Sequence, residues 1–169
     1  MSDFTFTPTE PAPMTIKVPF FEEARANFAP YYAVKDGSLN LEKAKDSVRN
    51  ELSKLGAGGI TFTEGVFGSG ATRRYGYQVE FLVGASKGRM ACAGLPIKEA
   101  HTPHKVLRVK VQALLNLRDQ LKAAVTAQVF APGFHPLVGT LLLPNGHTVS
   151  EQVVMQLSAG LPTDRLLEG

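Results

Sequence analysis

With a single cysteine, Cys92, the chain of 169 residues has nothing to pair internally, and a thiol set in an apolar run reads as a small buried side chain. A reducing, cytoplasmic setting is expected. Long hydrophobic runs are missing too: no segment approaches the ~18 apolar residues that a bilayer span requires, and the first residues carry neither a basic region nor an apolar stretch of signal length. Export and membrane insertion are therefore not expected. Catalytic signatures are equally scarce. The acids are too dispersed to argue a carboxylate pair. His101 and His104 stand three apart, but with no matching Cys or acid pair they fall short of a zinc ligand set, and His135 and His147 add nothing by spacing. Residues 65–72 have the glycine spacing of a P-loop, yet Ala71 stands where the phosphate-binding lysine must be, and a strand follows where a helix is needed. No catalytic residue, metal or cofactor is assigned, and a binding protein is expected before an enzyme.

What is present is an ordinary folding composition, 44% hydrophobic and 20% charged, at a length that one core can serve. Met1 to Pro13, rich in Thr and Pro, reads as a flexible tail. Residues 14–169 read as a single domain, with a core over about 38–130 and a C-terminal extension over 131–169. A short helix is predicted over Pro19 to Phe28, and Asp36-Gly37-Ser38 marks a turn. From Leu41 the apolar positions Leu41, Ala44, Val48, Leu52 and Leu55 recur at three and four, with Asn40 to cap the start and Gly56 to stop the helix.

Three strands are predicted next, Ile60 to Val66, Arg73 to Val83 and Lys87 to Leu95, with Gly84-Ala85-Ser86 short enough for a hairpin. Thr102-Pro103 then opens a long helix, about His104 to Val129. Leu107, Val111, Leu114, Leu121 and Val125 form its apolar stripe, with Lys105, Arg108, Gln112, Asn116 and Asp119 opposite. Arg118 falls within the stripe and needs a partner or an exit to solvent. Leu137 to Leu143 is a candidate fourth strand, and Thr148 with Glu151 matches a capping box. The fold expected is α+β: an antiparallel three- to four-stranded meander packed against an N-terminal amphipathic helix and a long C-terminal helix, an α-β-β-β-α core.

Charge is sorted along this chain. Residues 73–122 hold ten Lys and Arg against three acids, a net of +7, while the flanks on either side each carry −2. Such segregation points to a polyanionic partner. On the strands Arg73, Arg74, Lys87 and Arg89 bring cations near Tyr75, on which a base could stack; Tyr77, Val79 and Phe81 are expected in the core. At the long helix's N-terminus, Lys98, His101, His104, Lys105 and Arg108 surround free backbone N–H groups and the positive end of the dipole. The leading expectation is a nucleic-acid-binding protein, single-stranded DNA or RNA preferred, with Arg73, Arg74, Lys87, Arg89, Lys105 and Arg108 on phosphates and Tyr75 stacking. The alternative is a protein interaction and assembly module that oligomerises through its aromatic N-terminal segment, Phe20 to Tyr32. Association between copies suits both readings.

The order helix, three strands, helix over about Leu41 to Val129 resembles that of double-stranded RNA-binding domains and of the core of single-strand annealing proteins. The likeness is one of topology. Lys98, Lys105, Arg108 and Lys110 are basic where the first family has its Lys-rich signature, but its spacing is absent, so no residue role is carried over.

Overall fold

The computed structural model describes residues 18–24 and 40–160. The expected tail over 1–13, the turn at Asp36-Gly37-Ser38 and the end of the helix expected over Pro19 to Phe28 lie outside the described residues. Within that last segment the described part is a short 3-10 turn, Phe21–Glu23.

Helix α1 spans Leu41–Lys54, and the Asn40 side chain accepts the Lys43 N–H at 3.0 Å as its cap. Strands β1 (Ala57–Phe67), β2 (Arg74–Val83) and β3 (Ser86–Ala93) follow as an antiparallel meander in the order β1-β2-β3. Gly84, at a φ of 59°, takes the left-handed position that a tight two-residue hairpin needs between β2 and β3. Helix α2 runs over Pro103–Phe130, capped by Thr102 and opened by Pro103 at the first turn. A shorter helix α3, Val149–Ser158, starts with the capping box of Thr148 and Glu151. The architecture is the expected α+β core of helix, three strands and long helix.

Alternation along β2 decides the layers. Tyr77, Val79 and Phe81 are 1%, 0% and 2% exposed and meet Val48, Leu52 and Leu55 of the α1 segment and Val111, Leu114, Leu117 and Leu121 of α2. Each of these large apolar side chains contributes roughly 1.5–3 kcal/mol by leaving water. A second, smaller cluster joins Phe21 and Ala24 to Leu95, Ile97 and Val109, with Tyr75 and Val106 against it. Because α2 serves two clusters, its buried surface is wider than a single stripe. Gln112, expected on the solvent side, is instead buried, and its Oε1 accepts the Leu95 N–H at 3.2 Å. Arg118 leaves the stripe by turning its guanidinium to Asp119, 2.7 Å away.

The expected fourth strand is reduced to bridges. Leu137 is buried in the main core, residues Val138–Thr140 form a 3-10 turn, and only Leu141 and Leu142 pair, with Gly88 and Thr148. The 3-10 turn spends the extended backbone that a longer ladder would require.

Close backbone packing gives the first prediction. A Cβ on Gly94 would stand 2.2 Å from the Val109 carbonyl oxygen, whereas one on Gly58 would meet nothing within 4 Å. Urea denaturation should show Gly94→Ala destabilised by about 2 to 4 kcal/mol and Gly58→Ala unchanged within about 0.5 kcal/mol.

Candidate nucleic-acid interface

Five of the expected site residues come together at one end of the molecule, where β2 begins and α2 starts. Tyr75 donates its hydroxyl to His101 Nδ1 at 2.8 Å, and the exposed Arg73 guanidinium donates to the same nitrogen at 3.3 Å. Both are donors, so Nδ1 is the acceptor and the ring proton sits on Nε2. The Arg73 guanidinium also lies over the Tyr75 ring, 5.7 Å from its centroid. Arg74 has a structural role, since its guanidinium donates to the Gly94 and Ala93 carbonyls at 2.8 and 3.0 Å and so ties β2 to the end of β3. Lys105 and Arg108 lie on the first turns of α2, both half-buried.

Lys87 and Arg89 are placed elsewhere. Lys87 pairs with Leu82, which is eight residues along β2 from Arg74, about 26 Å at ~3.3 Å per residue. Both cations stand on alternating positions opposite the core face, where Arg89 meets Glu151 of α3 at 2.8 Å. A cavity of about 540 Å³ opens there, lined among others by Gln78, Arg89, Thr148, Ser150 and Glu151. Its polar groups are largely engaged with one another: Glu151 also accepts the Thr148 N–H at 2.7 Å, and Gln78 donates to Glu80 at 3.1 Å. The Thr148 N–H chiefly, with Arg89 beside it, holds the Glu151 carboxyl below its ordinary range.

Sequence comparison adds no relative. No protein-family model matches the chain, and neither does any curated protein or solved structure. The chemistry must be read from the side chains alone.

Among the described residues no group of three His, Cys, Asp or Glu is placed to hold a metal ion, and no helix is long and apolar enough to cross a membrane. Burial pushes the Cys92 thiol up to about 11, which leaves little thiolate for nucleophilic work at neutral pH. Tyr77 is fully buried with its hydroxyl unpaired, and burial with the neighbouring Glu64 charge pushes it up to about 12. It belongs to the core, as its place on the strand predicts.

The residues that sequence reasoning left out are Glu22 and Glu23. The Glu22 carboxylate accepts the backbone N–H groups of Lys98 and Glu99 at 3.1 and 3.3 Å and the Lys105 ammonium at 3.2 Å. Glu23 pairs with Lys98 at 2.6 Å, and Glu99 supplies Lys105 with a second carboxylate at 3.2 Å. The contacts of Glu22 and Glu23 span 75 residues and more, so no local spacing announces them.

Burial raises the Glu22 carboxyl, but hydrogen bonds from the Lys98 and Glu22 backbone, from Lys105 and from the Glu99 backbone outweigh it, so its pKa lies below the ordinary 4.5. A depressed carboxyl adds stability that is complete above its unfolded value and lost as pH falls through the folded one. Thermal melts across the acid range should therefore show wild type losing stability below about pH 5 more steeply than Glu22→Gln. Parallel curves for the two proteins would refute this account of Glu22.

Proposed function

We propose that the chain binds a nucleic acid, single strands preferred, through the end of the sheet where Arg73, Arg74 and Tyr75 meet His101 and the cationic start of α2 at Lys105 and Arg108. The observation that carries this reading is the convergence of Arg73 and Tyr75 on one acceptor nitrogen of His101 beside a helix N-terminus. Among the described residues no carboxylate pairs with Arg73, so its guanidinium is available to a phosphate oxygen, a charge-assisted contact stronger than its neutral one to His101. As Arg73 swings to a phosphate, the Tyr75 ring loses the cation over it, and a base can take that place. Arg74 supports this end by fixing the strand rather than by meeting phosphate. Lys87 and Arg89 stand outside the footprint. A lone, half-buried cysteine fits a reducing, cytoplasmic setting for this activity.

A labelled oligothymidine titrated by fluorescence anisotropy over a salt series tests the reading. Binding should weaken with salt at a log–log slope near −0.7 per phosphate contact. Arg73→Gln and Arg108→Gln should each flatten that slope by about 0.7 and lower affinity, while Lys87→Gln leaves both unchanged. No micromolar binding at low salt, in wild type or in Glu22→Gln/Glu23→Gln, would end the proposal.

A second reading, association between copies, rests on a different observation. Phe20 and Phe21, the described aromatics of the N-terminal segment, pack on their own chain, Phe21 in the second cluster and Phe20 beneath the Lys98 ammonium. Phe28, Tyr31 and Tyr32 lie outside the described residues. Exposed apolar side chains gather instead late in the chain: Phe130, Phe134, Val154, Met155 and Leu157 are all more than half exposed. Residues of this kind are a common mark of association. Light scattering should find a mass above one chain that falls when Val154 and Met155 are both replaced by Ser; a monomer at all concentrations refutes the reading.

A further inference from the structure

We propose that the segment around Phe21–Glu23 is an autoinhibitory strap, an internal anion that occupies the cationic start of α2 until a nucleic acid displaces it. The proposal rests on the nucleic-acid reading given above and adds a regulatory contact to it.

The strap is seated by an apolar anchor and a backbone bond. Phe21 is buried beside Leu95, Ile97 and Val109, and its N–H donates to the Pro96 carbonyl at 2.8 Å. That anchor delivers Glu22 onto two consecutive backbone N–H groups, Lys98 and Glu99, and onto the Lys105 ammonium. Successive backbone amides with an adjoining cation are the donor set that proteins use to hold phosphate oxygens. Here a carboxylate of the same chain fills it. Glu23 takes the Lys98 ammonium in the same way.

Two cations at this end are thus engaged by the strap while it is in place. A phosphate that reaches Lys105 must compete with a carboxylate tethered to the same molecule and so present at high effective concentration. A single phosphate is at a disadvantage in that contest. A strand that already rests on Arg73 presents its next phosphate intramolecularly as well, and the two tethered anions then compete on equal terms. The device favours long polyanions over mononucleotides and small anions.

Anisotropy with a labelled oligothymidine at low salt, applied to wild type, Glu22→Gln/Glu23→Gln and the triple variant that adds Lys105→Gln, tests this. The double variant should bind about tenfold more tightly than wild type through Lys98, which it releases, and Lys105, which it leaves to Glu99 alone, and the triple variant should lose part of that gain. Equal affinity of wild type and double variant overturns the strap and leaves the nucleic-acid reading standing. A double variant that binds where wild type does not supports the strap. A gain left undiminished by Lys105→Gln overturns it. Absence of binding by every protein overturns both readings. Circular dichroism checks folding, and should the double variant not fold, Glu23→Gln alone, at a half-exposed site, is expected to bind a few-fold more tightly, with no gain counting against the strap. Amide chemical shifts of Lys98 and Glu99 give a reading independent of affinity: both should move in wild type on adding the oligonucleotide, and unchanged shifts at saturation overturn displacement.

Discussion

Burying Tyr77, Val79 and Phe81 beneath two helices commits residues 78, 80 and 82 of the same strand to the opposite side of the sheet, because successive side chains of a strand point to opposite faces. Register carries the commitment across to β3, where Lys87 and Arg89 pair with Leu82 and Glu80. The basic segment therefore sends its cations to two places. Arg73 and Tyr75, at the start of β2, meet the start of α2 on the helical side, while Lys87 and Arg89 face the C-terminal segment. No side-chain rotamer can reunite them, since a shift of one residue in register would expose the core.

Charge that is sorted along a sequence need not be sorted in space. Glu64 of β1 pairs with Lys110, Glu151 of α3 with Arg89, and Glu22 and Glu23 with Lys105 and Lys98. The acidic flanks are thus folded onto the basic segment, and much of its net charge is neutralised by the chain itself. Pairs of this kind at a surface contribute only about 0–1 kcal/mol each, because desolvation and side-chain ordering offset most of the Coulomb gain. Under the proposed function they are weak enough for a polyanion to exchange, yet together they would decide which cations it reaches first.

Where a local rule governs, sequence and structure agree. Asn40 and Thr102 cap their helices, Gly84 makes the hairpin, and Thr148 with Glu151 closes the capping box, each within four residues of its partner. The α1 face and the core face of β2 follow from periods of 3.6 and 2. Disagreement arises where two surfaces compete for one element. Gln112 looks solvent-facing on a helical wheel with one stripe, but the second cluster covers that side of α2 and gives its amide oxygen the Leu95 N–H. Leu137 to Leu143 is apolar enough for a strand, yet burying Leu137 in the main core turns the chain before a ladder can grow. At the candidate site, the cations of β2 and α2 were legible by type, and their grouping was not. The bonds from Arg74 to Gly94 and from Glu22 to Lys98 join residues distant in sequence, which no periodicity encodes.

The two halves of the proposed footprint differ in how firmly they are held, and that difference sets an order of events. Arg73 rests on a ring nitrogen at 3.3 Å and on the face of Tyr75, both contacts without a formal negative charge. Lys105 lies between two carboxylates at 3.2 Å, one of them fixed in turn by backbone N–H groups and by the buried Phe21 beside it. Under the proposed function an approaching phosphate would therefore replace a neutral acceptor at Arg73 before it could replace a charged one at Lys105. Contact at Arg73 also frees the Tyr75 ring, so charge recognition precedes stacking. In the proposed complex the strap yields last, when a bound strand holds a second phosphate against the start of α2, and full engagement would then depend on a ligand long enough to reach from one half to the other.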